Sequence, residues 1–331
     1  MTSNILIVKI GAIGDVIMAT TMLTWIQKHK PGSKVTWMCG KTVLPLLQSI
    51  KGIDRIICID EEKLLKGSKF SQISEVLKAN FQIFNQCFDL VITPYHDKRY
   101  QFLSSLCRAK DRRSFGTTAH RKIPVPSRYH EQEYCRLISN EDGPYSSWTD
   151  FPEINLPTIT SSTSNIFLCP GGAKNMLADT QQRRWPIEYY VKLAGMLVDQ
   201  GLTVSIVGAK SDEWVIPYFN LTLVQNFVGQ LSLLELVGHF KNSLAVVTHD
   251  SGPLHIAKLV KAKTVALFGP TNPHEFARPT SRLKVLWGGE HLPCRPCYDG
   301  KNFFDCPDVQ CMKSITPDQV FQTLQSLINN I

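Results

Sequence analysis

The chain has 331 residues, too many for one ordinary domain and a fitting length for two, and its apolar share of 43% is enough for two sizeable cores. No run of about 18 apolar residues occurs, so no membrane-spanning helix is expected. The start, Met1-Thr2-Ser3-Asn4-Ile5, lacks a basic region and a cleavage site, so the expected location is the cytoplasm.

Residues 5–10 read as a continuous apolar strand, followed by Gly11, Gly14 and Asp15 at the start of a helix that runs to residue 29. The two glycines allow a tight turn, though neither the full dinucleotide fingerprint nor a P-loop is present. Asp15 is either a helix cap or a general base that takes the proton of an attacking hydroxyl. Residues 35–39 and 55–60 read as strands with a helical stretch, 42–49, between them. A helix over 71–86 and a strand over 88–93 follow. This alternation predicts a parallel sheet covered by helices.

From residue 96 the pattern becomes irregular and basic. The net charge of +8 is concentrated here: between His96 and His130 stand nine Lys or Arg against Asp97 and Asp111. A solvated face is the plain reading. The functional reading is a site for a polyanion, either a phosphorylated glycolipid or an anionic membrane surface. Nucleic acid ranks last, because no aromatic interleaving or nucleic-acid motif is present. A helix near 131–138 precedes a loop-rich stretch, 140–165, that places a domain boundary near residue 155.

The alternation then restarts. Residues 166–169 form a strand that runs into Pro170-Gly171-Gly172. The pair Arg183-Arg184 precedes a helix opened by Trp185 and Pro186 and ending near residue 200. Two guanidinium groups at a helix start oppose its dipole, which favours an anionic ligand over a purely structural role. Residues 202–207 form a strand ending at Gly208, with Asp212 and Glu213 placed either to bind ribose hydroxyls or to favour a first helical turn. Ser232 and Glu235 form a capping box.

The most informative segment is His249-Asp250-Ser251-Gly252-Pro253-Leu254-His255, which lies between an apolar strand over 244–248 and a helix reaching residue 260. Backbone N–H groups at such a switch favour phosphate. Ser251 can cap, Gly252 lets a ligand approach, and Pro253 suits a first turn. Asp250 repels phosphate but accepts hydrogen bonds from sugar hydroxyls, so the pair of features suits a nucleotide-sugar. A strand follows over 264–268.

Of ten cysteines, four cluster as Cys294, Cys297, Cys306 and Cys311, with His291 nearby. The spacing C-x2-C-x8-C-x4-C admits a structural zinc site, but the second pair is wide and the intervening loop short. A reduced, metal-free knuckle is the preferred reading. An amphipathic helix over 316–331 closes the chain.

Asp250-Ser251-Gly252-Pro253-Leu254-His255, Val265 to Thr271, Gly14-Asp15-Val16 and Arg183-Arg184-Trp185-Pro186 together resemble glycosyltransferase family 9, the ADP-heptose:lipopolysaccharide heptosyltransferases. The resemblance runs in order along nearly the whole chain. It implies an α/β GT-B fold: two Rossmann-like doubly wound domains facing a central cleft, with residues 1–155 taking the acceptor and 156–331 the nucleotide-sugar. It implies an inverting transfer that needs no metal cofactor, Asp15 as base, Arg183 on the donor diphosphate and Asp250 on the donor sugar. It also implies Ser251, Gly252 and His255 as the phosphate turn, Leu231 against adenine and Glu213 or Asp212 at the ribose.

The expected activity is therefore transfer of heptose, or a related sugar, from an ADP-activated donor to lipopolysaccharide core. Arg112, Arg113, Arg121 and Lys122 would hold the phosphorylated acceptor, with peripheral contact to the anionic inner membrane. The rivals are a nucleotide-sugar epimerase, which would need no acceptor, and a zinc-dependent nucleic-acid binding module built on the cysteines.

Overall fold

The computed structural model describes residues 3–95, 97–116, 125–141, 150–156, 164–174, 178–298 and 303–329. The chain divides into two compact units, Met1–Asn155 and Leu156–Ile331.

The first unit runs β1 (Asn4–Val8), α1 (Ile13–Ala19), α2 (Thr21–His29), β2 (Lys34–Gly40), α3 (Leu44–Ser49), β3 (Arg55–Ile59), α4 (Glu61–Lys66), α5 (Lys69–Ile83), β4 (Cys87–Thr93), α6 (Lys98–Phe102), β5 (Arg108–Ser114) and α7 (His130–Ser139). Its five strands are parallel in the order β3-β2-β1-β4-β5. Ile5 of central β1 pairs with Val35 on one side and Leu90 on the other. The winding direction reverses between β1 and β4, and ligands of such sheets bind beyond the strand ends at that reversal.

Two sequence expectations change here. The helix expected over 15–29 is two helices that meet at Thr20. Thr20 and Thr21 donate their hydroxyls back to the Ile17 and Met18 carbonyls, at 2.6 and 2.8 Å, a pattern that bends helices. The basic stretch expected to be irregular contains β5, an edge strand whose exposed and half-buried residues alternate down to Ser114.

The second unit runs β6 (Asn165–Cys169), α8 (Ile187–Asp199), β7 (Thr203–Ile206), β8 (Gln225–Asn226), α9 (Leu233–Asn242), β9 (Ala245–His249), α10 (Gly252–Leu259), β10 (Thr264–Phe268), α11 (Pro273–Phe276), β11 (Leu283–Trp287), α12 (Gln310–Lys313) and α13 (Pro317–Asn329). Six parallel strands lie in the order β11-β10-β9-β6-β7-β8, with the reversal between β6 and β9. Every residue of β6, β9 and β10 is buried, as expected of central parallel strands covered on both faces. Helices α8 and α13 pack together over this sheet, and the buried Trp185 indole donates to the Ile315 carbonyl at 2.8 Å. Among the described residues, no helix is long and apolar enough to cross a membrane.

Candidate active site

In the first unit the chain leaves β1 through Lys9 and Ile10 and enters α1 at Ile13. Asp15 is not the helix cap, because Ala12 holds that position without a side-chain bond. The Asp15 carboxylate, about one third exposed, instead accepts from Lys9 Nζ at 3.2 Å. Lys9 is only 1% exposed. Its backbone N–H donates to Met38 O, its carbonyl accepts from the Trp37 indole at 3.1 Å, and its ammonium lies 5.0 and 6.0 Å from the Tyr95 and Tyr134 ring centres. Burial and the nearby Asp15 charge raise the Tyr95 hydroxyl above its ordinary range. Tyr134, fully buried, is raised well above it for the same reasons. Both phenols thus stay neutral beside the pair. Lys9 was not singled out from sequence, although a lysine closing an otherwise apolar strand run is the signal that could have found it.

In the second unit the segment after β9 turns directly into α10. Ser251 occupies the N-cap position with extended backbone, yet its hydroxyl does not cap the helix. It donates to the His249 carbonyl at 3.2 Å and lies 3.4 Å from Thr248 Oγ1. The first turn of α10 is thus closed by no side-chain cap. Gly252 and the buried His255 lie within this helix.

Asp250 is buried. Its Oδ2 accepts from Thr271 Oγ1 at 2.9 Å and from Arg183 Nη1 at 3.4 Å. Arg183 ends a short 3-10 turn, Gln181–Arg183, and is anchored by its Nε to Thr180 Oγ1 at 2.8 Å. Its guanidinium also lies over the Phe303 ring at 5.6 Å. The adjacent Arg184 behaves differently: it pairs with Asp179 at 2.6 Å and donates to the Gly172 carbonyl. Pro186 is the cap of α8 rather than its first residue. Beneath the site, His249 Nδ1 is 3.2 Å from the Tyr190 hydroxyl. Burial, reinforced by Arg183 and Arg184, lowers the imidazole pKa to about 3.

The loops after β6 and β7 are tied together by Asp212. Its two oxygens accept from the Gly172 and Ala209 N–H groups at 2.9 and 2.8 Å, and the side chain is buried. A Cβ on Gly171 would lie 2.5 Å from Asp212, and Gly172 has φ of +84°, so both glycines are required here. Asp212 is therefore committed to the fold, which leaves Glu213, exposed, as the acid of this pair able to meet a ligand. Glu213 Oε1 sits 3.2 Å from where a Gly229 Cβ would stand, and the half-buried Leu231 follows two residues later. A neighbouring pocket is lined by Lys174, Arg184, Trp185, Ser211 and Trp214; the sequence reading did not single out Trp214.

The basic acceptor candidates separate. Arg112 donates to the Ser104 and Cys107 carbonyls at 2.9 and 2.8 Å. Arg113 pairs with Asp111 at 2.7 Å and donates to the Leu137 and Ile138 carbonyls, which ties β5 to α7. Arg121 and Lys122 lie outside the described residues. Cys294, Cys297, Cys306 and Cys311 are free thiols near one another. Burial raises Cys311 to about 11, and the other three thiols add to that shift. Among the described residues, no group of three His, Cys, Asp or Glu side chains is arranged to hold a metal ion.

The model of the family glycosyltransferase family 9 (heptosyltransferase) matches residues 146–306. The chain is 37% identical to lipooligosaccharide heptosyltransferase 2 of Haemophilus influenzae, over 98% of this chain and 99% of that one. Its structure is similar to a family 9 glycosyltransferase of Veillonella parvula, with TM-score 0.78, 19% identity and coverage of 98% and 97%. It is also similar to the Escherichia coli heptosyltransferase WaaC with ADP-2-deoxy-2-fluoro heptose, with TM-score 0.73, 17% identity and coverage of 98% and 99%. At these identities the two structural likenesses speak for the fold, which is of the GT-B class.

Proposed function

Because the chain belongs to glycosyltransferase family 9, we propose that it moves a heptose from an ADP-activated donor onto lipopolysaccharide core, with inversion at the anomeric carbon. That it is a glycosyltransferase follows from the family; the donor, acceptor and stereochemistry are the proposal. The observation that carries it is the Asp250 carboxylate, held by Thr271 and Arg183 in front of an α10 start that no side chain caps. One anionic acceptor of hydrogen bonds beside a cation and a helix N-terminus suits a sugar joined to a diphosphate.

In this reading Arg183 and the α10 start, with Ser251, Gly252 and His255, meet the diphosphate. Asp250 takes sugar hydroxyls, Glu213 the ribose and Leu231 the adenine. Lys9 holds one oxygen of Asp15, and the other takes the proton of the acceptor hydroxyl. The acceptor oxygen so freed of its proton attacks the anomeric carbon, the bond to the diphosphate oxygen breaks, and the ADP leaves with its charge met by Arg183 and the backbone dipoles. The first unit takes the acceptor and the second the donor, with Arg121 and Lys122 attracting core phosphates. The enzyme works in the cytoplasm, and the cysteine knuckle is metal-free. Metal analysis that returned one equivalent per chain would overturn this last assignment.

The test is incubation of the purified protein with ADP-heptose, with and without heptose-deficient core acceptor. Transfer only when acceptor is present, with the opposite anomeric configuration in the product, is expected. Stabilisation by UDP-, GDP- or CMP-sugars but not by ADP-sugars, or conversion of donor alone to an epimer, would overturn the reading.

A further inference from the structure

Helix α5 has two faces of opposite character. Glu75, Ala79, Asn80 and Ile83 are buried, and the helix packs on α4 and β3. Phe70, Ile73, Leu77, Phe81 and, just past the last turn, Phe84 are 82%, 59%, 58%, 82% and 63% exposed. At about 100° per residue these five side chains fall within an arc of about 80°. Asn80 extends the stripe. Its Nδ2 donates to the Phe102 carbonyl and its Oδ1 accepts from the Leu106 N–H, both at 2.7 Å. Phe102 and Leu106, themselves more than half exposed, are thereby held beside the helix.

A solvated helix face has no reason to carry three phenylalanines. At about 150–250 Å² per aromatic side chain, those three alone expose on the order of 400 Å². A patch of that size from three side chains, widened by Ile73, Leu77, Phe102 and Leu106, reaches at least the scale of an ordinary monomer's largest apolar patch, about 300–600 Å², which is often functional. Its rim is basic. Lys66 and Lys69 are exposed at one end, and Lys78, which pairs with Glu75 at 2.9 Å, flanks the stripe. At the other end Arg55 donates to the Gln82 carbonyl at 3.0 Å, and the Arg108 N–H donates to the Gln86 carbonyl. Of the acids in α4 and α5, Glu61 and Glu75 are buried and Glu62 alone is exposed.

We propose that this face docks the protein on an anionic lipid bilayer. The phenylalanines enter the boundary between headgroups and acyl chains, and the basic rim meets the anionic headgroups. Charge decides between this occupant and a second copy of the chain. A self-complementary contact would set the basic rim against itself, whereas an anionic bilayer complements it. The surface is separate from the residues assigned to transfer, and docking there would keep the protein beside a lipid-anchored acceptor.

The test is co-sedimentation of the full-length protein with vesicles of phosphatidylcholine alone and of phosphatidylcholine mixed with phosphatidylglycerol. Binding to the mixed vesicles that weakens as salt rises is expected, with little binding to phosphatidylcholine alone. The double variant Phe70→Ser, Phe81→Ser should bind at least about tenfold more weakly, from the usual gain on burying an aromatic side chain. Both positions are highly exposed, so its melting temperature should match the parent's. The double variant Lys66→Gln, Lys69→Gln should lose part of the preference for anionic vesicles. Absence of vesicle binding, or binding indifferent to the phenylalanine substitutions, overturns the proposal. So does a concentration-dependent dimer that those substitutions abolish in a protein that ignores vesicles. Vesicle binding and transfer are read separately, so failure of either leaves the other standing.

Discussion

Lys9 and Asp15 form an ion pair of 3.2 Å across the turn from β1 to α1, with the lysine buried and the aspartate reaching solvent. The arrangement fixes one carboxylate oxygen and leaves the other able to meet a substrate. Asp15→Asn should lower turnover by about two decades, the usual loss on removing a general base, with donor affinity kept. Lys9→Met should also lower kcat while leaving the donor KM near its parent value, because the carboxylate remains but loses its orientation. Steady-state kinetics decide, and normal turnover in Asp15→Asn would remove it from the chemistry.

Arg183 and Asp250 touch, so their contributions to donor binding should not add. Arg183→Ala and Asp250→Ala are each expected to weaken the ADP-sugar. In the double variant the total loss should differ from the sum by about 0.5–3 kcal/mol, the range for residues in direct contact. Arg183→Ala should cost more than Asp250→Ala when unglycosylated ADP is the ligand. Calorimetric titration of the four proteins gives the cycle, and strict additivity would contradict the 3.4 Å contact.

His249 should make the second unit acid-sensitive. Its folded pKa of about 3 lies below the ordinary 6.5, chiefly because of burial, so below pH 6.5 the unfolded chain binds a proton that the folded chain refuses. Its contribution is complete above pH 6.5 and is lost as the pH falls toward 3, at up to about 1.4 kcal/mol per pH unit. Denaturant unfolding at stepped pH should show this slope. His249→Asn, although less stable at neutral pH, should show a shallower one.

The basic stretch should divide by role. Arg113→Ala leaves the Leu137 and Ile138 carbonyls without their guanidinium donor, so it should cost about 1–3 kcal/mol of stability. Arg121→Ser with Lys122→Ser should instead raise the acceptor KM, flatten its dependence on salt and leave the melting temperature unchanged. An acceptor constant indifferent to both the substitution and ionic strength would remove these two residues from the acceptor site.

The central strands were legible because β6, β9 and β10 are buried on both faces and appear as unbroken apolar runs. The edges were not. β5 carries Arg108, Lys110, Asp111, Arg112 and Arg113, whose charges hid a strand with only one neighbour, and β8 is two residues long. β11 was passed over, although Leu283–Trp287 pairs fully with β10. At the site, residue types pointed to Asp15, Arg183 and Asp250, but pairings did not. Arg183 meets a partner 67 residues away in sequence, and no local pattern encodes that. Asp212 and Glu213 were equivalent as adjacent acids until the fold placed the first under two backbone N–H groups.

Each parallel sheet draws all its strands from one uninterrupted stretch of chain, and α13 returns to the sheet of its own unit. A cut between Asn155 and Leu156 therefore severs no strand pairing. The two halves are modular in the sense used by protein engineers. On the proposed division of acceptor to the first unit and donor to the second, a chimera that joins Met1–Asn155 to the corresponding second half of another relative should combine one parent's acceptor preference with the other's donor preference, so that new combinations could be sought by exchange of whole halves rather than by redesign of individual side chains.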